Sequence, residues 1–155
     1  DQGSVFKLSF PLTHIPSAPN PQPSKPSEPV KQELNIMVVE DEVNILRFIE
    51  KGLTDQGYQV VTACDGHDAL AIALERQHGL DMLLTDIALP DMTGIALYHQ
   101  LKTMSPAIQV LFMSGCIEDA AAQLEDMDRN RHFMEKPFSA NELVEKINAL
   151  VNTTD

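Results

Sequence analysis

The sequence has few basic residues and few cysteines, and both shortages restrict what the protein can do. Its 155 residues include 11 Lys and Arg against 23 Asp and Glu, so the formal net charge at pH 7 is −12. A surface with this charge repels nucleic acid and attracts cations or basic partners, so we expect no nucleic-acid partner. The two cysteines, Cys64 and Cys116, lack the spacing of a metal site, which favours a reduced cytosolic protein.

Long apolar segments and glycine-rich phosphate loops are also missing. No apolar run approaches the roughly 20 residues that span a bilayer, and no signal segment opens the chain. We therefore expect a cytoplasmic piece that makes no direct contact with a membrane. Neither a P-loop nor a GxGxxG motif occurs. The chain begins with Asp1 rather than Met, which suggests a fragment of a longer protein that could itself be membrane-bound.

Composition divides the chain into three segments. Residues 1–15 include an alternating apolar pattern typical of a half-buried strand, which has no sheet of its own to join. Residues 16–33 carry six of the ten prolines and are predicted to form an extended linker. A proline-rich ligand is the alternative, but no arginine-flanked PxxP stands out. Residues 34–155 carry the whole net charge, because the first 33 residues contain three acids and three bases.

From Leu34 onward, strand and helix patterns alternate about five times. Each strand pattern is short and apolar, as expected for parallel strands that are covered on both faces. The predicted strands are Asn35 to Val39, Tyr58 to Ala63, Asp81 to Thr85, Ile108 to Met113 and Arg131 to Glu135. The segments between them space apolar residues by three and four, which indicates helices with one buried stripe each. This alternation predicts an α/β fold with a doubly wound parallel sheet and helices on both faces.

Several helix boundaries can also be predicted. Gly57 is a suitable C-terminal stop for the first helix, and Ser139 with Glu142 forms a plausible capping box for the last. A fourth helix is predicted around Ala120, Ala121 and Leu124.

Four strand patterns end on polar residues that can act together. The first ends on Glu40 and Asp41, the third on Asp86, the fourth on Ser114 and the fifth on Lys136. Because the carboxyl ends of parallel strands meet at one edge of a sheet, we expect these side chains to converge where open α/β folds bind ligands. The chemistry that such a set supports is phosphoryl transfer to Asp86.

Phosphorylation of a carboxylate brings two negatively charged groups together, so the site must first neutralise their repulsion. Mg²⁺ does this with oxygen ligands. Asp41 and Asp86 are suitable ligands, and Glu40 can hold the ion directly or through a water. The backbone carbonyl of Ala88, just past Asp86, is placed to complete the shell.

Two further groups would contact the incoming phosphoryl oxygens. Lys136 would pair with one oxygen and the Ser114 hydroxyl with another, each contact strengthening as charge develops. Pro137 follows Lys136, and a cis bond between them would turn the lysine inward.

These residues carry a resemblance to a known family. NIMVVEDE, LLTDIALPDMTG, VLFMSG and MEKPF resemble the motifs of two-component response-regulator receiver domains, over roughly residues 34 to 151. The resemblance implies the flavodoxin-like fold, in which five parallel strands in the order 2-1-3-4-5 lie between helices. It also implies that Asp86 is the phospho-acceptor and that Glu40 and Asp41 are the acidic metal pair. Ser114 would be the family's hydroxyl, which also takes part in switching, and Lys136 its phosphate-sensing lysine.

Two positions depart from the commonest pattern of the family. Phe133, three residues before Lys136, falls at the aromatic switch position, where many members have tyrosine. A switch through a phenolic hydrogen bond is thereby excluded, whereas rotation of the ring between buried and exposed states is not. Ala88 is small at a position whose side chain often influences dephosphorylation in the family.

The amino-terminal segment has a second resemblance. GSVFKLSFPLT is similar to the closing strand of the ATP-binding domain of sensor histidine kinases. Together with the linker, this resemblance predicts the C-terminal receiver of a hybrid histidine kinase. Residues 1–15 would be the last strand of the kinase ATP-binding domain, residues 16–33 the linker, and residues 34–155 the receiver domain. The resemblance implies a phosphohistidine domain of the parent kinase as donor and a histidine phosphotransfer protein as next carrier. The fragment would catalyse at most its own phosphorylation and dephosphorylation.

Structural roles and other protein classes are the alternatives to this interpretation. Singly, Asp41 could charge a helix start, and Asp86 or Ser114 could cap a turn or helix. A haloacid-dehalogenase type of enzyme needs a second Asp where Ala88 lies, and a flavodoxin-like electron carrier needs a phosphate loop where the acid pair lies. The strongest rival is a non-phosphorylated receiver-like module that regulates its parent kinase. The intact acids and Lys136 argue against it.

Two more polar residues are assigned structural roles. Asp91, within LPDMTG, is predicted to support a turn rather than to bind the ion. His67 lies in no ligand spacing and is interpreted as a packing or surface residue.

Overall fold

The computed structural model describes residues 34–76, 79–116 and 129–152, which lie within one unit of the chain, residues 32–155. Its strands are β1 (Asn35–Val39), β2 (Gln59–Ala63), β3 (Met82–Asp86), β4 (Gln109–Ser114) and β5 (Phe133–Glu135). Its helices are α1 (Val43–Asp55), α2 (Gly66–Arg76), α3 (Gly94–Met104), α4 (Arg129–His132) and α5 (Ala140–Val151).

All five strands are parallel and form one sheet in the order β2-β1-β3-β4-β5, which confirms the predicted fold and strand order. The prediction for the fifth strand was wrong at its start, because Arg131 and His132 lie in α4. The helix predicted around residue 120, the amino-terminal strand and the linker lie outside the described residues.

The sheet separates two apolar clusters, because successive residues of a strand point to opposite faces. On β1, Met37 and Val39 pack in a cluster with residues of α2 and α3. Ile36 and Val38 pack in the other cluster, with residues of α1 and α5. Helices therefore cover both faces, and this explains why each strand is an almost continuous apolar run.

The predicted boundary signals are present at the helix ends. Gly57 has φ of +88° just past α1, a conformation that favours glycine. At α5, the Ser139 hydroxyl accepts a hydrogen bond from the Glu142 amide, and the Glu142 carboxylate accepts one from the Ser139 amide. This confirms the capping box and fixes where α5 begins after β5.

Strand register brings the polar strand ends together. Val39 pairs with Thr85, Asp86 with Met113, and Ser114 with Glu135. Beyond the last pair, the Lys136 amide donates to the Ser114 carbonyl oxygen at 2.8 Å. The carboxyl ends of β1, β3, β4 and β5 therefore form one continuous edge. None of the helices in the described residues is long and apolar enough to cross a membrane.

Candidate functional site

Three carboxylates lie together at the carboxyl edge of the sheet. Glu40 and Asp41 follow β1, Asp86 ends β3, and each offers an oxygen within 4.8 Å of the others. Glu40 is 1% exposed, whereas Asp41 is exposed and Asp86 lies between these extremes. The structure thus brings together the three acids that the sequence predicted.

Lys136 reaches this group from the end of β5. Its Nζ lies 2.7 Å from Glu40 Oε2 and 2.6 Å from Asp86 Oδ2. The peptide bond between Lys136 and Pro137 is cis, the geometry considered above from the sequence. Only 19% of the lysine side chain and 15% of the Asp86 side chain are exposed, so these charge-assisted contacts are partly shielded from water.

Burial and charge pairing have opposite effects on the pKa values of Glu40 and Lys136. Burial raises the pKa of Glu40, and the contact with Lys136 counteracts part of that rise. Burial disfavours the Lys136 ammonium as well, but its hydrogen bonds to Asp86 and Glu40 outweigh this effect and raise the lysine pKa. Counted by formal charge, the three carboxylates and one ammonium of this group leave an excess of two negative charges. Such a donor set, all of oxygen, suits a hard divalent cation such as Mg²⁺.

Ala88 and Ser114 lie next to the acids but make different contacts. The Ala88 amide donates to Asp86 Oδ1 at 3.1 Å and so orients that carboxylate. The Ser114 hydroxyl donates to the Cys116 carbonyl oxygen at 2.9 Å and accepts from the Cys116 amide at 3.0 Å. Ser114 is therefore at the predicted strand end, with its hydroxyl bound to the loop that follows β4.

Phe133 lies inside the core. It is 2% exposed, and its ring centroid lies 5.3 Å from that of Phe112, which in turn makes an edge contact with Tyr98 at 5.8 Å. The structure thus shows Phe133 in the buried one of the two states considered from the sequence. The ring interactions bind β5 to β4 and α3.

Two residues that fix the Asp86 backbone are not evident from the sequence alone. The buried Thr85 hydroxyl donates to the Asp86 carbonyl oxygen at 2.8 Å. Gly94, the first residue of α3, lies so close that a Cβ there would be 2.1 Å from the same oxygen. The signals for them are a hydroxyl inside the apolar run MLLTD and the glycine of LPDMTG, a motif that by itself indicates only a turn.

Asp65, His67 and Asp91 form a second group of possible ligands, with one atom of each within 4.8 Å of the others. Asp91 accepts hydrogen bonds from the Gly66 and His67 amides, and Asp65 from the Asp68 amide, all in the first turn of α2. The Gly66 amide is the main cause that lowers the pKa of Asp91 to about 2. A helix N-terminus attracts anions and disfavours a cation, so we assign these carboxylates to helix capping.

The fold and the site together define a class: flavodoxin-like α/β proteins with an acidic cluster and a lysine at the carboxyl edge of the sheet. The comparison with known families agrees with this class. The sequence matches the response regulator receiver domain family over residues 36–148. The chain belongs to this family and is a receiver domain of a two-component signalling system over those residues.

Individual relatives come from transcriptional regulators and from a sensor kinase. The probable transcriptional regulatory protein TcrX of Mycobacterium tuberculosis is 32% identical over 79% of this chain and 52% of its own length. Sensor kinase CckA of Brucella abortus is 27% identical over 99% of this chain and 17% of its own length. The chain thus spans about half the length of these curated relatives, or less.

A solved structure also superposes well. The receiver domain from hybrid histidine kinase CckA is 27% identical, has a TM-score of 0.64, and is matched over 76% of this chain and 98% of its own. This similarity covers nearly the whole of that receiver domain.

Proposed function

We propose that this receiver domain accepts a phosphoryl group on Asp86 in a Mg²⁺-dependent His-Asp phosphorelay. The observation that carries the proposal is the contact of Lys136 with both Asp86 and Glu40 beside the exposed Asp41. The carboxylate proposed as nucleophile, the two neighbouring acids and the Lys136 ammonium thereby lie around one point, which supports this proposal.

The residues present fit Mg²⁺. Asp41 and Asp86 would hold the ion, Glu40 would hold it directly or through a water, and the Ala88 carbonyl would complete the shell. When bound, the ion supplies positive charge that offsets repulsion between the carboxylate and the phosphoryl group. Because Glu40 is buried and paired with Lys136, we expect its role to depend on that pair being rearranged.

The transfer itself needs one nucleophile and two groups that follow the phosphoryl oxygens. A carboxylate oxygen of Asp86 attacks phosphorus, and the bond from phosphorus to the donor histidine nitrogen breaks. That nitrogen keeps the electron pair of the broken bond and takes a proton from solvent water. Lys136 exchanges its contact with Asp86 for one with a phosphoryl oxygen. The Ser114 hydroxyl leaves the Cys116 carbonyl oxygen to contact another. Ser114 and Phe133 would then form the switch.

The wider context that we propose is a hybrid histidine kinase. The similarity to sensor kinase CckA covers 99% of the chain and so includes residues that precede position 34. This supports assigning residues 1–15 to the end of a kinase ATP-binding domain, 16–33 to a linker and 34–155 to the receiver. The partners would be the phosphohistidine domain of the parent kinase and a histidine phosphotransfer protein, and the site would act in the cytoplasm.

The proposal is tested by the mass of the intact protein after incubation with Mg²⁺ and acetyl phosphate. We expect the wild type to gain one phosphoryl group and Asp86→Asn to gain none. Asp55→Asn, an exposed change at the end of α1, is the matched control and should label like the wild type. An unlabelled wild type, or equal labelling of Asp86→Asn, would refute the assignment and favour a non-phosphorylated interaction module.

A further inference from the structure

The loop between β3 and α3, residues 87–93, is closed at its base beside the acceptor. The Gly94 amide donates to the Ile87 carbonyl oxygen at 2.8 Å, and Ala88 forms an antiparallel bridge with Thr93. One end of this loop therefore contacts Asp86 through the Ala88 amide. Its tip lies beyond the bridge and needs other contacts to be held.

The tip is fastened to the first turn of α2 by a set of contacts that we call the α2 clasp: Asp91 and Met92 of the loop with Gly66 and His67 of α2. Asp91 Oδ1 accepts from the Gly66 amide at 2.9 Å, and Oδ2 accepts from the His67 amide at 2.8 Å. His67 Nδ1 lies 2.5 Å from Oδ2. Met92 packs so closely that a Cβ on Gly66 would be 2.5 Å from its Sδ.

We propose that Asp91 is a positioning residue, which holds the loop carrying Ala88 and couples phosphorylation at Asp86 to the first turn of α2. This inference rests on the proposed function of Asp86. The same short loop contacts the acceptor carboxylate at Ala88 and the α2 amides at Asp91, three residues later. When the Ala88 segment shifts around a phosphoryl group, the contacts of the clasp must therefore change, or the first turn of α2 must move with the loop.

The clasp has two consequences for the site. It fixes the segment whose carbonyl is the candidate fourth metal ligand, so that loss of the clasp weakens Mg²⁺ binding as well as transfer. Coupling between two binding sites is also reciprocal. If Mg²⁺ bound at Asp86 changes the affinity for a partner at the exposed His67 by some factor, that partner changes the Mg²⁺ affinity by the same factor. The first turn of α2 becomes a surface that reports the state of Asp86.

The test uses amide NMR resonances of Ala88, Gly66 and His67, recorded before and after addition of Mg²⁺ and beryllium fluoride, a phosphoryl mimic. In the wild type, we expect all three amides to shift. In Asp91→Ala, the Ala88 response should remain while the Gly66 and His67 responses are lost. His67→Ala, which keeps the backbone amide donors, should preserve the Gly66 response.

A second readout is Mg²⁺ affinity without any phosphodonor. Asp91→Ala should weaken it about tenfold, the usual effect of removing a residue that orients a ligand. Asp91→Asn keeps one acceptor oxygen and should fall between Asp91→Ala and the wild type, and it serves as the informative variant if Asp91→Ala unfolds. Unchanged Gly66 and His67 responses in both variants, or no response of these amides in the wild type, would overturn the clasp. A wild type without an Ala88 response and without phosphoryl labelling would instead refute the proposed function.

Discussion

The substitution Gly94→Ala should damage both stability and the proposed phosphorylation of Asp86, because it places a methyl group against the backbone of that residue. The added Cβ would lie 2.1 Å from the Asp86 carbonyl oxygen and 3.1 Å from its carbonyl carbon. Contacts below 3.0 Å are essentially never seen for a real Cβ, so the two segments must separate by about 0.9 Å, the difference between 3.0 and 2.1 Å. Neither partner is a flexible side chain that could move aside.

Three terms set the expected size of the loss. Overpacking of this kind typically costs about 1–3 kcal/mol. Separation also weakens the hydrogen bond from the Gly94 amide to the Ile87 carbonyl oxygen, which contributes about 1 kcal/mol. Replacement of glycine in a helix returns at most about 1 kcal/mol. We therefore expect a net loss of about 1–3 kcal/mol in the free energy of unfolding. A displacement near 1 Å at Asp86 should slow phosphorylation by up to about a hundredfold.

Urea denaturation followed by circular dichroism measures the first effect, and labelling by acetyl phosphate followed by mass measures the second. Gly115→Ala is the matched control for stability, because a Cβ at Gly115 meets nothing within 4 Å. Its midpoint should stay close to that of the wild type. A Gly94→Ala protein with an unchanged midpoint and an unchanged labelling rate would show that the close approach of Gly94 does not constrain Asp86.

Three further predictions concern charge and capping. Lys136→Met leaves the buried Glu40 without its cation and should lower the free energy of unfolding by about 1–3 kcal/mol. Urea denaturation measures this loss, and adding Mg²⁺ should restore part of it. A variant as stable as the wild type would contradict the prediction. The folded pKa of Asp91 is about 2, below its unfolded value of about 3.9. Its stabilisation is thus complete above about pH 4 and lost as pH falls towards 2. The Tm difference between wild type and Asp91→Asn should therefore shrink over that range, and a constant difference would contradict it. Ser139→Ala removes a hydroxyl that accepts a hydrogen bond from the Glu142 amide, and it should lower the free energy of unfolding by about 1 kcal/mol. An unchanged midpoint in the same urea assay would show that this cap does not stabilise α5.

Much of the site could be predicted from sequence because its positions follow from local patterns. Glu40, Asp41 and Asp86 directly follow or end short apolar strands, and parallel strands bring such ends to one edge. The boundaries of β1 were predicted without error, because its apolar run ends where the acids begin. The strand order, by contrast, came from a family resemblance, because alternation alone does not state which strands are neighbours.

Contacts between distant residues could not be predicted in this way. The link between Asp91 and Gly66 joins residues 25 positions apart, and nothing in LPDMTG specifies its partner. The one-turn helix α4 is too short to show a helical period, and His132 within it is held by contact of its Nδ1 with the Val110 carbonyl oxygen, 22 positions away. These are features of tertiary packing between residues that are far apart in the sequence.

The direction in which β1 runs has a consequence for how the acidic edge of the sheet is approached. The described part of this unit begins at Leu34, and the next residue, Asn35, donates its amide to Asp81 at the amino edge of the sheet. The five residues of β1 then lead to the acidic edge, roughly 15 Å away at about 3.3 Å per residue. The start of β1 therefore lies at the far side of the sheet from Asp86. A group that reacts with Asp86 must therefore approach the sheet at the edge opposite to the one at which β1 begins.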